Sequence, residues 1–218
     1  MEQQVQKGIT VILTSCGRFD LLAVTLKSFF EFNTYPVAAF YVYEDSGLAV
    51  PEKLKTDYPS IEWIQPQDRT GQILALDTLW SKVDTGYVFQ TEDDWQHYRS
   101  NFIEDSIAIL EKHPKIIQVW LREKEDTNQH PVSWPTNFDF GLLSRSNGVW
   151  AGFSFNPGVK RKADYDLIKS FGKHTQFLRH QPWKSEAEIA QLYHRLGFQA
   201  AITKQGYLRH IGGNRHVT

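Results

Sequence analysis

Residues 87–95 read YVFQTEDDW: a strand-like run that ends in three consecutive acids, Glu92, Asp93 and Asp94, and a tryptophan. Three adjacent carboxylates at the end of a buried strand repel one another and lose hydration. A cation has to offset them. What the neighbouring segments bring to the same place decides what that cation serves.

Upstream, GITVILTS (8–15) is a β-branched apolar run that predicts a buried strand. RFDLLAVTLKSFFEFN (18–33) sets Leu22, Leu26, Phe29 and Phe30 at helical spacing, with Asp20 as the expected N-cap. AAFYVYEDS (38–46) is the next strand, closed by acids and Gly47. IEWIQP (61–66) is a third strand, and TGQILALDTLWSKV (70–83) is a helix with Ile73, Leu76, Leu79 and Trp80 on one stripe. The acids then end a fourth strand, 86–95.

Downstream, FIEDSIAILEKHP (102–114) is a helix stopped before Pro114, and IIQVWLR (116–122) is a strand. Residues 123–141 are polar and proline-bearing and predict surface loops. GVWAGFSFNPG (148–158) predicts a further strand, SEAEIAQLYHRLGF (185–198) a helix with Gly197 at C′, and AAITK (200–204) a short strand. A Gly- and His-rich loop, RHIGGNRHVT, follows. This alternation predicts an α/β fold: a mostly parallel, Rossmann-like sheet flanked by helices, in a single domain over 1–218.

Composition narrows the partners. With 24 basic and 25 acidic residues the net charge is −1, so no global field recruits nucleic acid or anionic membrane. The single cysteine, Cys16, excludes an internal disulfide framework and suits a reducing compartment. No apolar signal core opens the chain and no run of about 18 apolar residues crosses it. The expectation is a cytoplasmic protein without a transmembrane segment, whose membrane contact, if any, is peripheral. Aromatic residues make up 14%, enough to line a sugar- or base-binding cleft.

In open α/β sheets ligands sit at the carboxyl ends of the strands. Four polar clusters fall there: TSCGRFD, EDSG, QDRTG and TEDDW. A divalent ion held by one or two carboxylates, with a diphosphate supplying further oxygens, would cancel the repulsion and stabilise a departing phosphate.

In that order, with SEAEIAQLYHRLGF and HIGG behind them, these segments resemble a GT-A fold glycosyltransferase, in the style of the family-2-like nucleotide-sugar transferases with an EDD form of the DXD motif. The resemblance runs from about residue 9 to 213, and it implies a nucleotide-binding half over 1–98 and, over 99–218, an acceptor-binding half with a C-terminal metal and diphosphate loop. It implies an enzyme of glycan biosynthesis, a hexosyl- or deoxyhexosyltransferase. It would use Mn²⁺ or Mg²⁺ and a nucleotide-sugar donor, UDP-sugar before GDP-sugar, and a glycan or glycoconjugate acceptor. Residue by residue, it implies Thr14, Ser15 and Arg18 at the base or diphosphate, and Asp45, then Glu44, at the base or ribose. It sets Arg69 and Gly71 against the donor, Glu92 and Asp93 facing the ribose or sugar, and Asp94 and His210 on the metal. Arg215 and His216 would reach the diphosphate. Glu92 departs from the commoner Asp.

The resemblance also implies a base at the start of the late helix, which falls on Glu186, with Glu188 as runner-up. A Glu there departs from the usual Glu-Asp pair. An inverting transfer needs such a base to take the acceptor's proton; without it, a retaining transfer on the same fold remains. Trp183, Trp150 and Phe153 read either as acceptor platforms or as core. A sugar nucleotidyltransferase and a non-catalytic sugar- or nucleotide-binding domain stay open. The first lacks its usual long Gly-rich loop here, and the second would not need the His210 and Glu186 constellation.

Overall fold

A computed structural model describes residues 8–127, 129–145, 149–150, 152–179, 181–213 and 215. The chain runs β1 (Ile9–Ser15), α1 (Phe19–Phe32), β2 (Val37–Glu44), α2 (Glu52–Asp57), β3 (Ile61–Ile64) and α3 (Gln72–Ser81). It continues through β4 (Tyr87–Glu92), β5 (Trp95–His97), α4 (Phe102–Lys112), β6 (Ile116–Trp120), β7 (Val132–Ser133) and β8 (Phe140–Leu143). Last come β9 (Gly158–Arg161), α5 (Lys162–Ile168), α6 (Pro182–Arg195), β10 (Gln199–Thr203) and β11 (Leu208–His210).

The main sheet has the order β3-β2-β1-β4-β9, with the first four strands parallel and β9 antiparallel to β4. Its centre is β1, buried at every position because both faces are covered by helices. Side-chain alternation divides the core. Ile9, Val11 and Leu13 pack with Leu22, Leu26 and Phe29 of α1 and Ile103 of α4. Ile12 packs with Ile73, Leu76, Leu79 and Trp80 of α3 and Ile189 and Tyr193 of α6. The mostly parallel α/β expectation holds, and the helical stripes lie where the 3.6-residue period puts them, except that Phe30 of α1 stands 41% exposed.

Several local expectations do not hold. The strand at 116–122 does not join the main sheet. β6 pairs in parallel with β10 in a second sheet, ordered β6-β10-β8-β7. The loop expected over 123–141 contains β7 and runs into β8. Residues 152–157 are not a strand. Their backbone groups are satisfied by side chains instead of by a ladder: Trp120 Nε1 donates to Gly152 O (2.8 Å) and Gln90 Nε2 to Phe155 O (2.8 Å), while Gln118 Oε1 accepts from Ser154 N (3.1 Å). The strand forms only at β9. Asp20 does not cap α1; Arg18 holds the cap position, and Asp20 in the first turn pairs with Arg215. α6 begins three residues early because Pro182 sits at its first position, where its fixed φ suits the helix and its missing N–H costs nothing. Gly197 takes φ +82° just past α6, as a C′ glycine does. Among the described residues no helix is long and apolar enough to cross a membrane.

Candidate active site

From β1 the chain steps outward to β2 and β3 and then returns to place β4 on the other side of β1. That reversal opens a crevice at the carboxyl ends of β1 and β4. A cleft of about 760 Å³ lies there, bounded by the loops after β1, β3 and β4 and by the start of α6.

β4 delivers Glu92 as its last residue, and Asp93 and Asp94 form the turn into β5. The cation that answers them is Arg18. Its guanidinium pairs with the Asp93 carboxylate and puts Nη1 2.7 Å from Asp94 Oδ2. Asp93 Oδ2 also accepts from Ser15 Oγ (3.2 Å) and Cys16 N (3.3 Å). Burial still pushes the Asp93 carboxyl up to about 6, with Arg18 working against it. Burial pushes Asp94 upward too, but the His210 hydrogen bond and the Arg18 charge outweigh it and hold that carboxyl below its ordinary value. Glu92 accepts from Gln72 Nε2 (2.6 Å). Burial, and then the charges of Asp94, Glu186 and Asp93, raise it to about 7.

His210 arrives by strand pairing. β11 lies antiparallel to β5 with His210 opposite Trp95, and Ile211 N donates to Asp94 O (2.8 Å). This brings His210 Nε2 to 3.1 Å from Asp94 Oδ2, and that bond raises the imidazole's affinity for a proton. A Cβ at Gly212 would lie 2.5 Å from Asp94 Oδ2 and 2.9 Å from His210 Nε2. The missing side chain therefore keeps space open beside both atoms. A carboxylate oxygen, an imidazole nitrogen and an adjoining gap fit a Mn²⁺-type ion that takes mixed ligands. Among the described residues no three His, Cys, Asp or Glu side chains gather as a self-sufficient metal site, so such an ion would draw its other ligands from a diphosphate or water.

The neighbouring loops are built by the acids of β2. Asp45 Oδ1 accepts from Thr70 N (2.7 Å) and Oγ1 (2.9 Å), and Oδ2 from Gly71 N (2.7 Å). Asp45 lines the cleft but both its oxygens shape the turn before α3. Glu44 lies beneath the cleft: Oε1 accepts from Gly17 N and Ser46 N, each at 2.9 Å. Gly71 has φ +87°, and a Cβ there would meet Arg179 Cα and Leu178 O, each at 2.8 Å. Its bareness thus serves the approach of the 178–179 backbone as well as the cleft wall. Thr14, Ser15 and Arg69 line the cleft. Arg215 does not; its fork closes on Asp20, and its carbonyl accepts from Arg18 Nη1 (2.8 Å). His216 lies outside the described residues.

The opposite wall belongs to α6. Glu186, in the second turn rather than the first, accepts from Phe155 N (2.7 Å) and lines the cleft; burial raises its carboxyl. Glu188 does not line the cleft. Trp183 stands 62% exposed on the rim of the cleft. Trp150 and Phe153 are buried core, so their platform reading falls away.

Two residues escape the sequence reading. Arg122, 5% exposed, stacks over Trp95 (4.8 Å) and Trp120 (5.3 Å), and it lines the cleft beside Glu92 and Glu186. Lys160, 2% exposed on β9, has no hydrogen-bond partner for Nζ among the described residues. Burial lowers it to about 7, opposed by the charges of Glu186 and Glu92. Two buried cations thus stand against two half-buried acids. The only signal for Arg122 is its place just past a strand; Lys160, in GVKRKADY, reads as surface charge until β9 pairs with β4.

No protein-family model and no curated protein matches the chain. Solved structures do. One is S. aureus TarS 1–349, at TM-score 0.65 and 12% identity, covering 93% of this chain and 60% of that one; it has also been solved with UDP-GlcNAc. A second is the mannosyltransferase PcManGT from Pyrobaculum calidifontis, in complex with GDP-Man and Mn²⁺, at 0.64 and 14%, covering 93% and 58%. A third is GalNAc-T7 with UDP, GalNAc and Mn²⁺, at 0.65 and 11%, covering 94% and 43%. These are GT-A glycosyltransferases, and the fold of the chain is theirs. The chain spans three fifths or less of the length of these three.

Proposed function

We propose that the protein is a metal-dependent glycosyltransferase that moves a hexosyl or deoxyhexosyl group from a nucleoside-diphosphate donor, UDP-sugar before GDP-sugar, to a hydroxyl of a glycan or glycoconjugate, with inversion. The observation that carries this reading is one cleft, at the switch point of the sheet, that holds the Asp94–His210 pair on one wall and the half-buried Glu186 on the other. The fold shared with enzymes solved with UDP-GlcNAc, GDP-Man and Mn²⁺ supports it.

In this reading 1–98 receives the nucleotide and 99–218 the acceptor. Asp94 and His210 hold Mn²⁺ or Mg²⁺, and when bound the ion neutralises the diphosphate leaving group. Thr14, Ser15 and Arg69 bound the base and ribose space, with Asp45 holding its floor in shape. Arg18 binds diphosphate oxygens; its fork matches them geometrically. Glu92 and Asp93 face the ribose or sugar. Glu186 takes the proton from the acceptor hydroxyl. Its raised carboxyl makes it the stronger base, and Phe155 N holds one of its oxygens in place. Trp183 stacks an acceptor sugar at the rim.

The test is a donor panel, UDP- and GDP-sugars with Mn²⁺, Mg²⁺ or chelator, read as nucleotide binding and nucleoside-diphosphate release. Metal-dependent binding of one donor class that Asp94→Asn abolishes is the expected result. Failure of every donor to bind would sink the proposal and leave a domain with acids of structural use only.

A further inference from the structure

We infer that Arg18 couples the metal to the donor: its guanidinium holds Asp94 until a diphosphate takes the guanidinium over. This rests on the nucleotide-sugar reading above. Asp94 Oδ2 is the carboxylate oxygen that faces His210, at 3.1 Å, and the one that Gly212 leaves accessible. It is also the oxygen that Arg18 Nη1 approaches to 2.7 Å. A divalent ion bound there would stand next to a guanidinium, and the two like charges would repel at close range.

Arg18 has little reason to leave on its own. It is shared with Asp93, Nε at 3.3 Å from Oδ2, and with the carbonyl of Arg215 at 2.8 Å. Removing it would leave Asp93 without its countercharge and Asp94 with only His210, when protonated, beside it. A diphosphate changes this balance. It offers Arg18 a set of oxygens for a bidentate contact and offers the ion its missing ligands. The two cations then share an anion instead of competing for one oxygen. The ion alone should bind weakly, the ion with a diphosphate strongly, and each should raise the affinity of the other by the same factor. Arg18 therefore acts as a stand-in cation that keeps the acids paired between turnovers.

Mn²⁺ binding, measured by the paramagnetic resonance of the free ion, tests this without any turnover. Titrations run with and without saturating UDP, corrected for the Mn²⁺ that UDP itself binds. The wild type should gain about 10-fold or more in Mn²⁺ affinity when UDP is present. Arg18→Met, which keeps the length and loses the charge, should bind Mn²⁺ alone roughly 10-fold tighter than wild type and lose most of the gain from UDP. Arg18→Lys keeps a charge and should stay close to wild type without UDP; circular dichroism checks that both variants fold. If Arg18→Met misfolds, Arg18→Gln takes its place with the same expectation. An Mn²⁺ affinity that the neutral variants leave unchanged or weaken would overturn the coupling while leaving the transferase reading intact. Absence of both Mn²⁺ and UDP binding in every protein would sink that reading and this inference together.

Discussion

His97 supplies a quantitative check on the core beneath the site. It is 1% exposed, with its ring among Phe29, Phe89 and Phe102, and among the described residues neither ring nitrogen has a hydrogen-bond partner. Burial alone pushes its pKa down to about 3. The unfolded chain returns the ring to about 6.5. Between those values the unfolded state binds a proton that the folded state refuses. Stability from this group is therefore complete above pH 6.5 and lost as the pH falls toward 3. At pH 5 the loss is about 1.5 pH units times 1.36 kcal/mol, or roughly 2 kcal/mol. That figure does not depend on the folded value so long as it lies well below 5. Other groups titrate in the same range, so the comparison is with His97→Leu, similar in volume and unable to ionise. Urea unfolding at pH 7.5 and 5.0, followed by tryptophan fluorescence and circular dichroism, gives both differences. The wild type should lose about 2 kcal/mol more than the variant, near 1 M in midpoint at a slope of about 2 kcal/mol/M. Parallel losses in the two proteins would refute the reasoning, because they would mean that the ring protonates inside the fold.

Three further outcomes follow from the cleft. Glu186→Gln should leave donor binding unchanged and lower kcat by on the order of 10²–10⁴-fold, as loss of a general base does; single-turnover kinetics beside donor titration separate the two. Gly212→Ala puts a Cβ 2.5 Å from Asp94 Oδ2. Its expected cost falls on Mn²⁺ affinity, seen by titration with UDP present, with only a small change in Tm. Gly71→Ala demands φ +87° of an alanine and a contact of 2.8 Å with backbone on both Leu178 and Arg179. It should destabilise by about 1–3 kcal/mol, measured by urea unfolding, and loosen the cleft rim.

The parts of the fold that were legible are those encoded by neighbours in sequence. The β-branched run of β1, the stripe of α3 and the acids that end β4 each announce themselves within a dozen residues. What side chains do across the fold was not legible. Residues 148–158 are apolar enough for a strand, yet Gln90, Gln118, Trp120 and Glu186 from three other elements supply the bonds that a ladder would have made. Arg18 reads locally as a loop residue with a ligand to find; its part as partner to Asp93 depends on a contact across 75 positions. Lys160 follows the same logic. Nothing in its surroundings along the chain marks it as buried, and only the antiparallel pairing of β9 with β4 puts it inside. The His210–Asp94 contact came from the resemblance rather than from any local pattern, since strand β11 is only three residues long.

The ladder between β5 and β11 sets a schedule as well as a position. Asp94 and His210 are separated by 116 residues. On a ribosome adding about 5–20 residues per second, the acids are made roughly 6–23 s before their histidine. Throughout that interval β5 lacks the strand that will cover its edge. Arg18, already made when the acids appear, is the cation at hand to neutralise them. The nascent chain can thus bury its acids early and gain its second candidate metal ligand later. The pairing of three residues, made well after the acids, is what brings His210 to Asp94.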